Sequence, residues 1–192
     1  MYRFILLMLL SGPVFAGTQV ACVYPDKASH EMTQQADCGE LDEQGRLRVS
    51  SGLLDRVYWS KYGLQCIYVE AGSVRGWYYI NQNGLGRWTA FASDNDCAPF
   101  NAGLAVGLSQ GKVVFFNQAM RVVRNTEYRW ASSFYKGYAK VCSEAPQRIY
   151  DNDGEHYRLR GGRCGFVDRA FLVVVPINYR FEATPRPSDR LH

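Results

Sequence analysis

Histidine is almost missing from this chain: among 192 residues only His30, His156 and His192 carry an imidazole. That scarcity removes the commonest general base and metal ligand from most of the sequence. No Cys-x-x-Cys or close Cys/His grouping exists either, so neither a metal nor another cofactor is expected. No long window carries a 3.6-residue apolar stripe, which leaves helices no role beyond short turns at 52–56 or 129–135. No apolar run reaches the roughly 20 residues of a membrane-spanning helix; the runs at 4–10 and 171–175 are far shorter. Charge of one sign is lacking as well. The 22 Lys and Arg against 18 Asp and Glu give a net charge of +4, with both signs interspersed. Such a balance does not demand nucleic acid or another polyanion as partner.

What is present begins with a leader. Arg3, the apolar run 4–10, the break Ser11-Gly12-Pro13 and Val14-Phe15-Ala16 follow the pattern of a secretory signal peptide cut after Ala16. Cys22 follows Val20-Ala21, but Gln19 stands where a lipidation motif wants leucine. All six cysteines (Cys22, Cys38, Cys66, Cys97, Cys142 and Cys164) lie beyond the leader. An even number in an exported chain reads as disulfides. Six cysteines allow 15 connectivities, and the sequential one (Cys22–Cys38, Cys66–Cys97, Cys142–Cys164) is expected. The last pair would close the polar insertion 143–162.

The remaining texture is short strands and turns. Arg46-Leu47-Arg48-Val49, Gln65-Cys66-Ile67-Tyr68-Val69 and Trp77-Tyr78-Tyr79-Ile80 carry alternating, β-branched or aromatic residues between glycines and Asx residues. Asn83-Gly84 and Asp153-Gly154 are turn dipeptides. Gly63-Leu64, Gly103-Leu104-Ala105-Val106 and Gly137-Tyr138-Ala139-Lys140-Val141 form a refrain, interleaved with strands that end in Asn81, Asn117 and Asp168. Periods of this size predict a repeat architecture, with units near 38–70, 71–109, 110–142 and 143–183. Residues 17–37 read as an irregular arm and 184–192 as a disordered tail. Trp77 and Phe166 are expected in the core.

Together, Gly76-Trp77-Tyr78-Tyr79-Ile80-Asn81-Gln82-Asn83-Gly84, Gly103-Leu104-Ala105-Val106, Gly111-Lys112-Val113-Val114-Phe115-Phe116-Asn117 and Cys164-Gly165-Phe166-Val167-Asp168 resemble the WG-repeat pattern. Val114 replaces its glycine in one unit, Cys164 its tryptophan in another, and the turn after Asn117 has no glycine. The resemblance implies an all-β domain of repeated β-hairpin units used for binding, and it brings no catalytic residues.

Three motifs invite chemistry. Gly107-Leu108-Ser109-Gln110-Gly111 matches a nucleophile elbow, but a strand-like run follows where a helix is required. Asp151-Asn152-Asp153-Gly154-Glu155 and Asp94-Asn95-Asp96 are acidic turns without the distal glutamate of a calcium loop. Arg158-Leu159-Arg160-Gly161-Gly162-Arg163 is the densest basic cluster. Arg158 and Arg160 within it, and the pairs Arg87-Trp88 and Arg129-Trp130, are the candidate binding residues. Arginine and aromatic side chains suit protein interfaces and sugar rings. The expected function is therefore that of a non-catalytic module, periplasmic or secreted, holding a protein partner as an inhibitor or immunity-type protein. The alternatives are an envelope glycan-binding or structural protein, and a hydrolase using Ser109 with His156.

Overall fold

The computed structural model describes residues 17–90, 96–154 and 156–187. The leader 1–16, most of the Asp94-Asn95-Asp96 turn, Glu155 and the end of the tail with His192 lie outside the described residues. The chain is all-β and antiparallel, as its turn-rich alternation requires. The strands β1 (Thr18–Pro25), β2 (Met32–Leu41), β3 (Arg46–Val49), β4 (Leu64–Ala71), β5 (Val74–Asn81) and β6 (Leu85–Trp88) close into a barrel, in the order β1-β2-β3-β6-β5-β4. One short helix, α1 (Ser51–Leu54), plugs it with Leu53, which is fully buried.

Residues 17–37 are thus not an irregular arm. Val20, Cys22 and Tyr24 alternate inward along β1 with a period of two, and β1 is hydrogen-bonded to both β2 and β4. A cysteine and a tyrosine serve here as apolar side chains, which hides the strand from a count of aliphatic residues. The barrel interior also takes Leu47, Val49, Val57, Ile67, Val69, Tyr78 and Ile80. Trp77 lies outside it, half-buried, with its ring 5.2 Å from that of Tyr68.

Beyond the barrel, β7 (Leu104–Ser109), β8 (Lys112–Asn117) and β9 (Val122–Asn125) make a three-stranded meander. Next, β10 (Trp130–Ala131), β11 (Tyr138–Glu144), β14 (Arg163–Asp168) and β15 (Val173–Tyr179) form a four-stranded sheet. The run Val113-Val114-Phe115-Phe116 is buried throughout, because β8 is covered on both faces. Phe116 and Ala105 meet Leu64 and Met120 on one side, while Phe115 and Val106 pack with Phe134, Val141 and Val167 on the other. A strand buried on both faces loses the alternation that marks a half-exposed one.

The same turn recurs four times. The side-chain oxygens of Asp42, Asn81, Asn117 and Asp168 each accept hydrogen bonds from the backbone N–H groups two and four residues on, at 2.8–3.1 Å. Each joins the second and third strands of a meander: β2 to β3, β5 to β6, β8 to β9 and β14 to β15. The expected unit boundaries at 71 and 110 fall at the ends of the hairpins β4–β5 and β7–β8 where the chain turns back, so the hydrogen-bonded groups are phased differently from the sequence refrain.

All three expected disulfides are present. Cys142 and Cys164 stand directly opposite across β11 and β14, with Cα atoms 4.0 Å apart. The polar insertion that this bond closes is a hairpin: β12 (Gln147–Tyr150) pairs β13 (Tyr157–Arg160). Of the tail, Thr184 is buried after a 3-10 turn at Phe181–Ala183, and its hydroxyl donates to the Arg180 and Phe181 carbonyls. The expected disorder therefore does not begin at 184.

Candidate binding surface

Strand alternation builds a surface on the four-stranded sheet. Ala139 and Val141 of β11 point to the core, so Tyr138 and Lys140 point the opposite way. Lys140 faces Phe166 across the ladder with β14 and exchanges hydrogen bonds with Ser132 beyond β10. Phe166 is half-buried beneath that lysine and not in the core as expected. Trp130, opposite Cys142, lies on the same face. The 3-10 turn then folds over the sheet, bringing the Phe181 ring to 4.9 Å from that of Trp130 at 89°.

Lys140, Phe166, Trp130, Phe181 and Tyr135 line a cavity of about 790 Å³. The Lys140 ammonium donates to the Phe181 carbonyl at 2.9 Å and sits 4.2 Å from the centre of its ring. No carboxylate lies within ion-pair distance of it among the described residues. Burial, with Arg186 adding repulsion, lowers its pKa from the usual lysine value. The cavity can stack ring faces on its aromatic walls and supply a partly desolvated positive charge.

The hairpin β12–β13 stands beside this cavity. Among the described residues it is hydrogen-bonded into no other sheet, and seven of its eight strand residues are exposed. Register puts Arg158 with Ile149, and Arg160 with Gln147, on one face. The other face carries Tyr150 and Tyr157, their rings 5.7 Å apart, with Arg148 over Tyr157 at 4.6 Å. Its base is fixed by the Cys142–Cys164 bond and by the 3-10 turn. Phe181 N–H donates to the Gly161 carbonyl, and Gly161 N–H to the Glu182 carboxylate. Hydrogen bonds from its own backbone N–H and that of Gly161 hold the Glu182 carboxyl below its ordinary pKa.

Of the six expected binding residues, Trp130, Arg158 and Arg160 therefore share this end of the molecule. Arg129 is exposed on the neighbouring strand end and donates to the Gly111 carbonyl. Arg87 and Trp88 do not join them. Trp88 is not an exposed platform: its indole packs on the barrel core over Gly76, where a Cβ would come within 2.5 Å of the indole nitrogen. Lys140, Phe181 and Tyr157 went unnoticed in the sequence. Lys140 occupies the variable position of the Gly-Tyr-Ala-x-Val refrain, which period two turns away from the core.

The catalytic motifs are not brought together. Ser109 ends β7 opposite Lys112, across a two-residue turn whose Gln110 and Gly111 both have positive φ, 49° and 70°. That is a hairpin turn, without the helix that an elbow needs. His156 follows the turn of the β12–β13 hairpin, and no hydrogen bond joins its side chain to Ser109. The trio Cys66, Asp96 and Cys97 is close enough for a metal, but both of its sulfurs are committed to one disulfide. No family, curated protein or solved structure matches this chain.

Proposed function

We propose that the chain is an exported, non-catalytic binding module of WG-like repeats, acting in the periplasm as an inhibitor or immunity-type protein. The observation that carries this reading is the β12–β13 ribbon. A hairpin that pairs only with itself draws little stability from exposed cross-strand pairs such as Tyr150 with Tyr157, yet it is anchored covalently at its base. Pre-organisation of this kind reduces the ordering cost of binding. Tyrosine and arginine are the residues that dominate interface energetics. Arg148, Arg158 and Arg160 favour a partner surface carrying carboxylates.

The test is affinity capture from envelope extracts with the oxidised chain and with an Arg158→Glu/Arg160→Glu variant of unchanged circular dichroism. The wild type is expected to retain a stoichiometric protein that the variant loses. Equal retention by both, or an empty eluate from the folded wild type, would sink the reading. The aromatic cavity supports a second one, an envelope glycan stacked on Trp130 and Phe181. In that case tryptophan fluorescence would respond to acidic saccharides in the wild type and not in Trp130→Ala.

A further inference from the structure

The barrel carries a second feature, independent of the ribbon. On β3 and β6, Arg46 and Arg87 are directly opposite across an antiparallel ladder. Like charges so placed destabilise a sheet unless something answers them. Asp42 answers Arg46 through an ion pair at 2.6 Å. Arg87 is half-buried and has no carboxylate partner among the described residues; its Nε–H donates to the Met120 carbonyl at 3.0 Å, its guanidinium lies 5.9 Å from the centre of the Phe116 ring, and its Nη donors make no hydrogen bond among the described residues. Burial and the Arg46 charge lower its pKa below the usual arginine value.

Arg87 lines a groove of about 690 Å³ between the barrel wall and the β8–β9 turn. Arg48 from β3 and Arg121 from that turn reach the same groove, both exposed; Arg48 stands opposite Glu40 in the β2–β3 ladder, but neither arginine forms an ion pair among the described residues. Its two carboxylates are Asp42, already paired, and Glu40, which accepts a hydrogen bond from Gln19 at 2.7 Å. Four guanidiniums against two carboxylates leave a local excess of positive charge.

We propose that this groove is an anion site for phosphate-bearing ligands, with Arg87 as its floor and Arg48 and Arg121 as its walls. A guanidinium offers a planar fork of donors that matches phosphate oxygens. A phosphate monoester carries about −1.5 to −2 charges at neutral pH and three strong acceptor oxygens. Three guanidiniums without an ion pair among the described residues match that charge better than they would match the single charge of a carboxylate ligand. The phosphate can belong to a soluble compound or to a lipid headgroup.

The experiment is calorimetric titration of the oxidised full chain with inorganic phosphate, at constant ionic strength set by chloride. Saturable binding is expected, weakened at least fivefold by Arg121→Ala and by Arg48→Ala. Lys61→Ala, which removes an exposed charge elsewhere, should leave it unchanged. Arg87→Met should lose most of the binding, but Arg87 also holds the Met120 turn, so the two exposed variants decide. Co-sedimentation with vesicles containing phosphatidic acid, a lipid phosphate monoester, and not with phosphatidylcholine ones, lost in the same variants, would place the phosphate on a lipid. Saturation without co-sedimentation would assign a soluble phosphate compound. No saturation, or equal weakening by Lys61→Ala, overturns the proposal.

Discussion

At the scale of the residue, the four Asx turns show what the sequence pattern trades. The residue three positions after each Asx has positive φ: Gly45 at 70°, Gly84 at 73°, Met120 at 61° and Phe171 at 62°. Glycine takes this conformation freely, whereas a side chain there costs on the order of 1–3 kcal/mol. Met120 and Phe171 offset the strain by burial. Met120 is 5% exposed and packs on Leu64, Ala105 and Phe116; the Phe171 ring lies 5.0 Å from that of Phe115. Losing a buried methionine side chain costs about 2–5 kcal/mol, more than the strain it relieves. Met120→Gly is therefore expected to destabilise the fold by roughly 1–3 kcal/mol, measured by urea unfolding. A stabilised variant would show that packing does not hold this turn. The same geometry explains why the first turn escapes a search by refrain. Cys38-Gly39-Glu40-Leu41-Asp42 parallels Cys164-Gly165-Phe166-Val167-Asp168, but Glu40 stands on a solvent-facing position and breaks the aromatic signature.

At the scale of the element, the barrel strands are held by side chains whose polar ends must stay neutral. Burial, with a smaller push from Asp42, raises Tyr78 to about 12; burial, with Asp96, raises Tyr79 to about 12. Their folded pKa values lie above the usual tyrosine value of 10.0, so the native state keeps the protons longer than the unfolded chain does. Their contribution to stability is thus full below pH 10 and lost as pH rises toward 12. For Tyr78, which is 2% exposed, the loss is on the order of 2–3 kcal/mol. Urea midpoints measured at pH 9 and pH 12 are expected to fall more in the wild type than in Tyr78→Phe. Equal falls would mean that Tyr78 ionises freely in the folded barrel. Strands of this kind are legible when one face is exposed, as in Arg46-Leu47-Arg48-Val49. They are far less so in β1, where cysteine and tyrosine fill the inward positions, or in β8, where both faces are covered.

At the scale of the whole molecule, three disulfides close spans of 16, 31 and 22 residues. Each contributes about 3–4 kcal/mol in the chain-entropy model. Cys22–Cys38 staples the barrel, Cys66–Cys97 ties it to the segment leading into the β7–β9 meander, and Cys142–Cys164 fixes the ribbon base. Full reduction is expected to lower the melting temperature by about 20 °C or more, at roughly 2–4 °C per kcal/mol for a chain of this size. A shift of only a few degrees, followed by calorimetry in reductant, would refute the view that these bonds carry a large share of the stability.

The sequence by itself determined the strand-rich class and the Asx turns after Asn81, Asn117 and Asp168, while of 15 open cysteine connectivities the tertiary structure selected the sequential one. The strands and turns depend on residues within one hairpin, so spacing and turn chemistry suffice. Barrel closure, the burial of Trp88, the separation of Arg87 from Arg158, and the meeting of Trp130 with Phe181 were decided only by the tertiary structure. Those outcomes rest on contacts between residues as far apart as Val23 and Tyr68, which close the barrel, or Trp130 and Phe181. Local propensity holds no information about which faces will meet, because burial is a property of the assembled sheets rather than of any one strand.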